Sequence, residues 1–176
     1  MNLRNQKFLL APVGVATGLT LLIVVFEHIT TKLGLSKLTL SLTTIPHWMI
    51  FPIGVVLIAV WGPIFIAGFY SLSLRNAMGQ SGPLIVTGIY KYVRNPMYSG
   101  LSLTVIGLGF LLNRAGLLLA GFIWFLIVLI QCFWEQKQLH RKFGERYLQY
   151  KRKTPMLIPD FGRLLQDLFK KAGKDA

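Results

Sequence analysis

Long apolar runs, separated by short charged segments, dominate the first three quarters of the chain. Uncharged stretches cover residues 8–26, 48–74, 97–113 and 115–134. A helix needs about 20 mostly apolar residues to cross a bilayer, so each of these stretches is predicted to be a transmembrane helix. The sequence therefore predicts an all-α integral membrane protein with about four transmembrane helices.

The spacing of these stretches also predicts how the chain is organised. Only Arg114 separates the third stretch from the fourth, which indicates a helical hairpin over residues 97–134. We expect one membrane domain over residues 1–176. It is divided into two N-terminal spans (1–74), a core (75–159) that contains the hairpin, and a C-terminal tail (160–176).

A helical register continues beyond the last apolar stretch. Apolar and aromatic residues recur three or four positions apart after Glu135, at Leu139, Phe143, Tyr147 and Tyr150. The basic residues of this segment fall at other positions. The spacing therefore places Glu135 on the packed face of a helix.

The C-terminal tail has its own helical pattern. Apolar residues follow the i, i+3, i+4, i+7, i+8 spacing at Phe161, Leu164, Leu165, Leu168 and Phe169, with basic residues between and after them. This spacing is typical of an amphipathic helix, and we expect the helix to lie on the membrane surface.

The positive charges indicate the orientation. With four spans, 16 of the 19 Lys and Arg residues lie on one side of the membrane and 3 on the other. The positive-inside rule makes the richer side cytoplasmic, together with both termini. We expect the inner membrane of a prokaryotic cell. The net charge of +13 lies beside apolar spans, so nucleic acid is not an expected partner.

The candidate chemistry lies around the start of the third span. The connection over residues 75–96 contains Arg75, Lys91 and Arg94 but no acid, and should attract anions. Arg94 is a candidate site residue or a simple anchor at a helix end. Glu135 is a candidate functional acid, since ionisable groups near a span often have a role, or forms a structural salt bridge to Arg94 or Lys91.

Metal and disulfide chemistry have no support in the sequence. Three scattered histidines, His28, His47 and His140, lack the spacing of metal ligands, so no metal is expected. Cys132 is the single cysteine and cannot form an intrachain disulfide.

Several segments, in order and spacing, carry a resemblance to a known enzyme family. They are Leu84-Ile85-Val86-Thr87-Gly88-Ile89-Tyr90, then Arg94-Asn95-Pro96-Met97-Tyr98-Ser99-Gly100, then Glu135 with Leu139, Phe143-Gly144, Tyr147, Tyr150, Pro155 and Ile158-Pro159. Over residues 82–159 the chain resembles the isoprenylcysteine carboxyl methyltransferase and phospholipid methyltransferase superfamily.

The resemblance implies a membrane methyltransferase that binds S-adenosylmethionine in a cytoplasm-facing cavity and takes a lipid-like acceptor from the bilayer. Arg94 and Glu135 would be the catalytic residues. The cofactor contacts it implies are Leu84, Ile85, Tyr90, Asn95, Pro96, Met97, Tyr98 and Glu135.

The sequence departs from the family pattern in ways that affect the acceptor. Many members have His at the position of Asn95 and a second acid at the position of Gln136. Prenylcysteine methyltransferases have an arginine near the end of the last span, whereas residues 115–134 contain none. A prenylated protein terminus is therefore the less favoured acceptor.

Two other functions stay open at this stage. A membrane sterol reductase with a nicotinamide cofactor would share the Arg-x-Pro-x-Tyr segment, although Leu101 stands where such enzymes often have an acid. A non-catalytic membrane component would share only the fold. The acceptor and the oligomeric state are not fixed by the sequence.

Overall fold

The computed structural model describes residues 3–34, 46–77 and 84–173. All regular secondary structure in these residues is helical. A 3₁₀ turn occupies Gly88–Lys91. The helices are α1 (Leu3–Lys32), α2 (His47–Ala77), α3 (Pro96–Leu111), α4 (Ala115–Phe143), α5 (Glu145–Lys153) and α6 (Phe161–Ala172).

Two described helices are long and apolar enough to cross a membrane. They are the Trp48–Leu72 part of α2 and the whole of α4. Only 17% of the most apolar window of the first, and 33% of that of the second, is buried inside the chain, so neither resembles the core helix of a soluble protein. α3 is apolar but has only 16 residues. The all-α membrane fold class is confirmed, and the four-span topology stays a prediction.

By internal contacts the chain forms two compact units. Unit 1 comprises residues 1–62 and 101–128, and unit 2 comprises residues 63–100 and 129–176. α2, α3 and α4 each contribute residues to both units. The predicted single domain over residues 1–176 stays a prediction.

Small residues allow the helices of unit 1 to approach closely. A Cβ atom on Gly54 of α2 would lie 2.6 Å from the main-chain nitrogen of Leu111 in α3. A Cβ atom on Gly121 of α4 would lie 2.7 Å from the Ile106 side chain. Such contacts replace the hydrophobic driving force that is missing between helices in lipid.

A tight turn and an ion pair follow the C-terminal end of α3. Asn113 adopts a positive φ of 55°, a conformation that asparagine tolerates better than most residues, and the chain then enters α4. The neighbouring Arg114 pairs with Glu27 of α1 at 3.5 Å.

Unit 2 contains the residues that the sequence analysis predicts to be catalytic or to bind the cofactor. Pro96 begins α3 and lies in its first turn, where a missing N–H costs little. α4 continues past Trp134, the predicted end of the last span, to Phe143. Gly144 then takes a φ of 54° and starts α5, so the predicted register is shared by two helices rather than one.

The predicted burial pattern of these two helices is confirmed. Tyr147 is buried, and Glu135, Leu139, Phe143 and Tyr150 are half-buried. The basic residues at other positions are exposed, namely Lys137, Arg141, Lys142 and Arg146.

Candidate functional site

Main-chain hydrogen bonds join the loop before α3 to the loop after α5. Arg94 N–H donates to the Pro155 carbonyl at 2.9 Å, and Asn95 N–H donates to the Met156 carbonyl at 3.2 Å. Asp160 N–H donates in the other direction, to the Tyr92 carbonyl at 2.9 Å. We call this set of three main-chain bonds the seam. It fixes the loop that leads into α3 against a segment about 60 residues later.

The Arg94 side chain reinforces the seam. Its Nε donates to the Thr154 carbonyl at 2.9 Å, and its Nη1 donates to the Tyr147 hydroxyl at 3.2 Å. Thr154 and Tyr147 are both buried. Arg94 is therefore more than an anchor at a helix end, because its guanidinium links the loop to α5 and to the residue that follows it.

A second link to α5 comes from two tyrosines. The Tyr150 hydroxyl donates to the Tyr90 carbonyl at 2.7 Å. Burial, with a smaller contribution from the Glu135 carboxylate, raises the pKa of the Tyr90 phenol to about 12. The Tyr90 hydroxyl is consequently protonated at neutral pH.

Glu135 of α4 has a buried acceptor with no partner. Its Oε2 atom makes no hydrogen bond within the described residues. Neither Arg94 nor Lys91 forms an ion pair with it there, since Arg94 bonds to Thr154 and Tyr147 and Lys91 pairs with Asp167. The structural salt bridge considered for Glu135 is therefore not formed. A half-buried carboxylate in this state lacks the compensation that burial normally requires.

The surroundings of Glu135 are aromatic and polar. Gln131 lies one turn before it on α4, and Gln136 directly follows it. Tyr98 accepts a hydrogen bond from Gln131 Nε2 at 3.1 Å, which joins α3 to α4. The adjacent Gln136 is buried and donates to the Met156 sulfur at 2.7 Å. Two hydrogen-bonded glutamines, one of them joined to Tyr98, therefore lie within about one turn of Glu135 on α4.

The other residues that were predicted to bind the cofactor contact neighbouring parts of unit 2 or are only half-buried. The Asn95 side chain donates to the Met156 carbonyl at 3.2 Å. Pro96 is buried and Met97 half-buried, and both lie against Gly68. Leu84 and Ile85 are half-buried, and within the described residues no hydrogen bond ties them to the others. The structure thus groups Arg94 and Asn95 at the seam, and the carbonyl of Tyr90 accepts the separate hydrogen bond from Tyr150.

Two open clefts lie beside the seam in unit 2. The first encloses about 290 Å³ and the second about 340 Å³, and Lys153, Thr154 and Arg163 line both. The first is also lined by Arg94, Lys151 and Arg152, and the second by Lys91 and Arg146. Among the residues that the structure describes, Asp160 is the one acid that lines either cleft. The basic character of the C-terminal segment is evident from the sequence, but these clefts are not.

Comparison with known proteins places the chain in a family. The chain matches the phospholipid methyltransferase family over residues 49–146, more than half of its length. The chain belongs to the phospholipid methyltransferase family. This confirms the resemblance to the isoprenylcysteine carboxyl methyltransferase-like superfamily. No curated protein matches the chain significantly.

Family membership bears on several expectations at once. It implies a methyltransferase, supports a lipid-like acceptor and agrees with the apolar helices of a membrane protein. The matched region includes Tyr90, Arg94 and Glu135 but ends before Tyr147 and Tyr150. The two tyrosines of α5 that contact the candidate site therefore lie beyond the family match.

Proposed function

We propose that this protein transfers a methyl group from S-adenosylmethionine to a lipid-like acceptor at the cytoplasmic face of the membrane. The family supports methyl transfer. The observation that carries the proposal for the cofactor is the buried Oε2 atom of Glu135, which has no hydrogen-bond donor among the described residues. A buried carboxylate oxygen in this state is suited to an ammonium group from a ligand.

The residues near Glu135 fit the other parts of the methyl donor. S-adenosylmethionine carries an amino group, a carboxylate, a sulfonium and an adenine ring. Glu135 would bind the amino group, and Tyr90 and Tyr98 would provide aromatic surface for the sulfonium or the adenine. Within the described residues, Arg94 uses Nε and Nη1 on the protein. Its Nη2 group would bind the donor carboxylate.

The bound cofactor supplies a methyl group already activated by the positive sulfur. The residues of this chain then have to position the two reactants and exclude water. Because its pKa is about 12, Tyr90 would act as a neutral hydrogen-bond donor or as a wall rather than as a base. For an amine acceptor, Glu135 is the better candidate to take up the proton.

The same arrangement favours an acceptor without a carboxylate. Residues 115–134 contain no arginine, and Arg94 is already committed to Thr154, to Tyr147 and, in this proposal, to the donor. A carboxylate placed in an apolar cavity without its own cation would lose several kcal/mol of hydration. We therefore propose a neutral hydroxyl or an amine on a lipid-like molecule as the methyl acceptor.

Binding of S-adenosylhomocysteine to the detergent-solubilised protein tests the cofactor assignment. We expect S-adenosylhomocysteine to raise the thermal unfolding midpoint, and NADPH to leave it unchanged. Glu135→Gln should weaken the binding at least tenfold, as the charge that holds the amino group is lost. Glu145→Gln is the matched control, because Glu145 is an exposed acid in the first turn of α5.

The outcomes separate the alternatives. Protection by NADPH alone would support a reductase, and protection by neither would support a non-catalytic component. Equal binding to the parent and to Glu135→Gln would make Glu135 a structural acid. Labelled methyl donor with extracted membrane lipids, compared with a farnesylcysteine analogue, tests the acceptor. Turnover of the farnesylcysteine carboxylate alone would overturn the acceptor proposal.

The cytoplasmic position of the site has its own test. A cysteine at Lys153, which is exposed at the end of α5, should resist an impermeant thiol reagent in intact cells and react after lysis. The buried Cys132 makes the parent chain a suitable blank. Reaction in intact cells would place this end of the protein outside.

A further inference from the structure

α6 is attached to the rest of unit 2 through its polar side. Arg163 Nε donates to Asp160 Oδ2 at 2.7 Å, and another nitrogen of its guanidinium donates to the Lys153 carbonyl. One turn later, Asp167 accepts hydrogen bonds from Lys91 Nζ at 2.5 Å and from the Tyr92 hydroxyl at 2.8 Å. Arg163 and Asp167 lie four positions apart and therefore on the same side of the helix.

The apolar side of α6 points the other way. Leu165, Leu168 and Phe169 are 50%, 55% and 74% exposed. At 3.6 residues per turn these positions lie opposite Arg163 and Asp167. A helix of a soluble protein buries its apolar stripe and exposes its polar residues. In α6 the polar residues contact the protein and the apolar residues are exposed. Its apolar side therefore needs a cover from outside the chain, that is, a surface that buries it.

The charge of the neighbouring surface points to the nature of that cover. Arg163 of α6 lines both clefts, whose other cations are Arg94, Lys151, Arg152, Lys153, Lys91 and Arg146. A second copy of this chain would bring the same positive surface and would be repelled. An acidic bilayer offers both an apolar layer for the phenylalanines and leucines and anionic headgroups for the cations.

We propose that α6 docks on the surface of an acidic phospholipid bilayer. Leu165, Leu168 and Phe169 enter the boundary between headgroups and acyl chains, about 5–10 Å deep. Arg163 and Asp167 stay on the protein side. Through Asp167 the docked helix holds Lys91 and Tyr92, and hence the 3₁₀ turn that contains Tyr90. This inference does not depend on methyl transfer, and the two proposals fail separately.

Spin labels on two sides of α6 test the docking in the full-length protein. Phe169→Cys places a nitroxide on the apolar side, and Gln166→Cys places one on an exposed polar position of the same helix. Both are reconstituted in nanodiscs of phosphatidylcholine, with and without phosphatidylglycerol. Accessibility to oxygen and to a water-soluble nickel complex then reports the depth of each label. The parent chain, whose only cysteine is buried, is the labelling blank.

We expect the label at position 169 to shift to high oxygen and low nickel accessibility when phosphatidylglycerol is present, while the label at 166 stays in water. A label at 169 that remains accessible to nickel in acidic nanodiscs would overturn the proposal. An equal depth without phosphatidylglycerol would overturn the role of acidic lipid. Dipolar broadening between labels would identify a second copy as the cover and would also overturn it. Leu165→Cys repeats the measurement if Phe169→Cys does not fold.

Discussion

The Tyr150 hydroxyl donates a hydrogen bond of 2.7 Å to the main-chain carbonyl of Tyr90. This bond fixes the 3₁₀ turn that contains Tyr90 to α5. Burial raises the pKa of the Tyr150 phenol, so the hydroxyl keeps its proton and remains a donor throughout the neutral range. The turn that contains Tyr90 is therefore held by a residue from outside the family match.

Tyr150→Phe should destabilise the protein by about 0.5–1.5 kcal/mol, because a partly buried carbonyl loses its donor. We also expect weaker binding of S-adenosylhomocysteine, since the 3₁₀ turn that contains Tyr90 is no longer bonded to Tyr150 of α5. Thermal unfolding by circular dichroism and ligand titration measure the two effects. Tyr70→Phe is the control, as Tyr70 is exposed on α2. Equal midpoints for the parent and Tyr150→Phe would show that the bond contributes nothing.

Arg94→Lys is expected to destabilise the protein more than Tyr150→Phe does. An ammonium group cannot reach the Thr154 carbonyl and the Tyr147 hydroxyl with the fork geometry of a guanidinium, although the charge is kept. Loss of hydrogen bonds to a charged donor should cost about 1.5–3 kcal/mol. Arg152→Lys, on an exposed position of α5, should stay within about 0.5 kcal/mol of the parent. An unfolding midpoint for Arg94→Lys that matches this control would contradict the role assigned to the guanidinium.

The close contact of α2 and α3 in unit 2 predicts a contrast between two glycines. A Cβ atom on Gly100 would lie 2.7 Å from the main-chain nitrogen and Cα of Phe65, whereas one on Gly62 would meet nothing within 4 Å. Gly100→Ala should therefore destabilise the protein by about 1–3 kcal/mol through overpacking. Gly62→Ala should be neutral or stabilising by up to about 1 kcal/mol, because alanine favours a helix. Similar yields and midpoints for both variants in detergent would contradict the close packing.

The contact between Asp167 and Lys91 predicts a dependence on pH. The hydrogen bond from Lys91, followed by that from the Tyr92 hydroxyl, lowers the pKa of Asp167. A group with a lowered pKa in the folded state stabilises that state above its ordinary pKa of about 3.9 and stops doing so as pH falls through the folded value. The pKa of Lys91 is raised, mainly by its hydrogen bond to Asp167, so its contribution is lost only as pH rises through that value.

We therefore expect α6 to be held at neutral pH and released in acid. The mobility of a nitroxide at Gln166→Cys, followed from pH 7 downward, measures the release. Arg163 and Asp160 form a second acid-sensitive contact, which Asp167→Asn leaves intact. The difference between the parent and Asp167→Asn thus isolates Asp167. Identical mobility curves would show that this contact does not hold the helix.

Sequence reasoning predicted the features that depend on local pattern. The 3.6-residue spacing indicated α6 and the burial of Leu139, Phe143 and Tyr147. The proximity of Tyr90 and Arg94 followed from their places in one short loop. In each case the determining interactions lie within a few turns of the same helix or loop.

The contacts that complete the site could not be predicted in this way. Neither periodicity nor spacing indicates that Arg94 and Asn95 donate to Pro155 and Met156, because these bonds join main-chain atoms distant in sequence. The sequence offered Lys91 as a partner for Glu135, but Lys91 pairs with Asp167 across 76 residues. Which of several acids a lysine meets depends on tertiary structure, and that information is not local.

The seam has a consequence for how this protein can change during evolution. Its three bonds use N–H and carbonyl groups that nearly every amino acid carries. Mutations at Pro155 or Met156 can therefore alter the shape and polarity of the surface beside Arg94 without removing the acceptors that hold the loop closed. The framework and the surface are therefore encoded in different atoms. Side chains at this surface can change by drift while the main-chain framework is inherited unchanged.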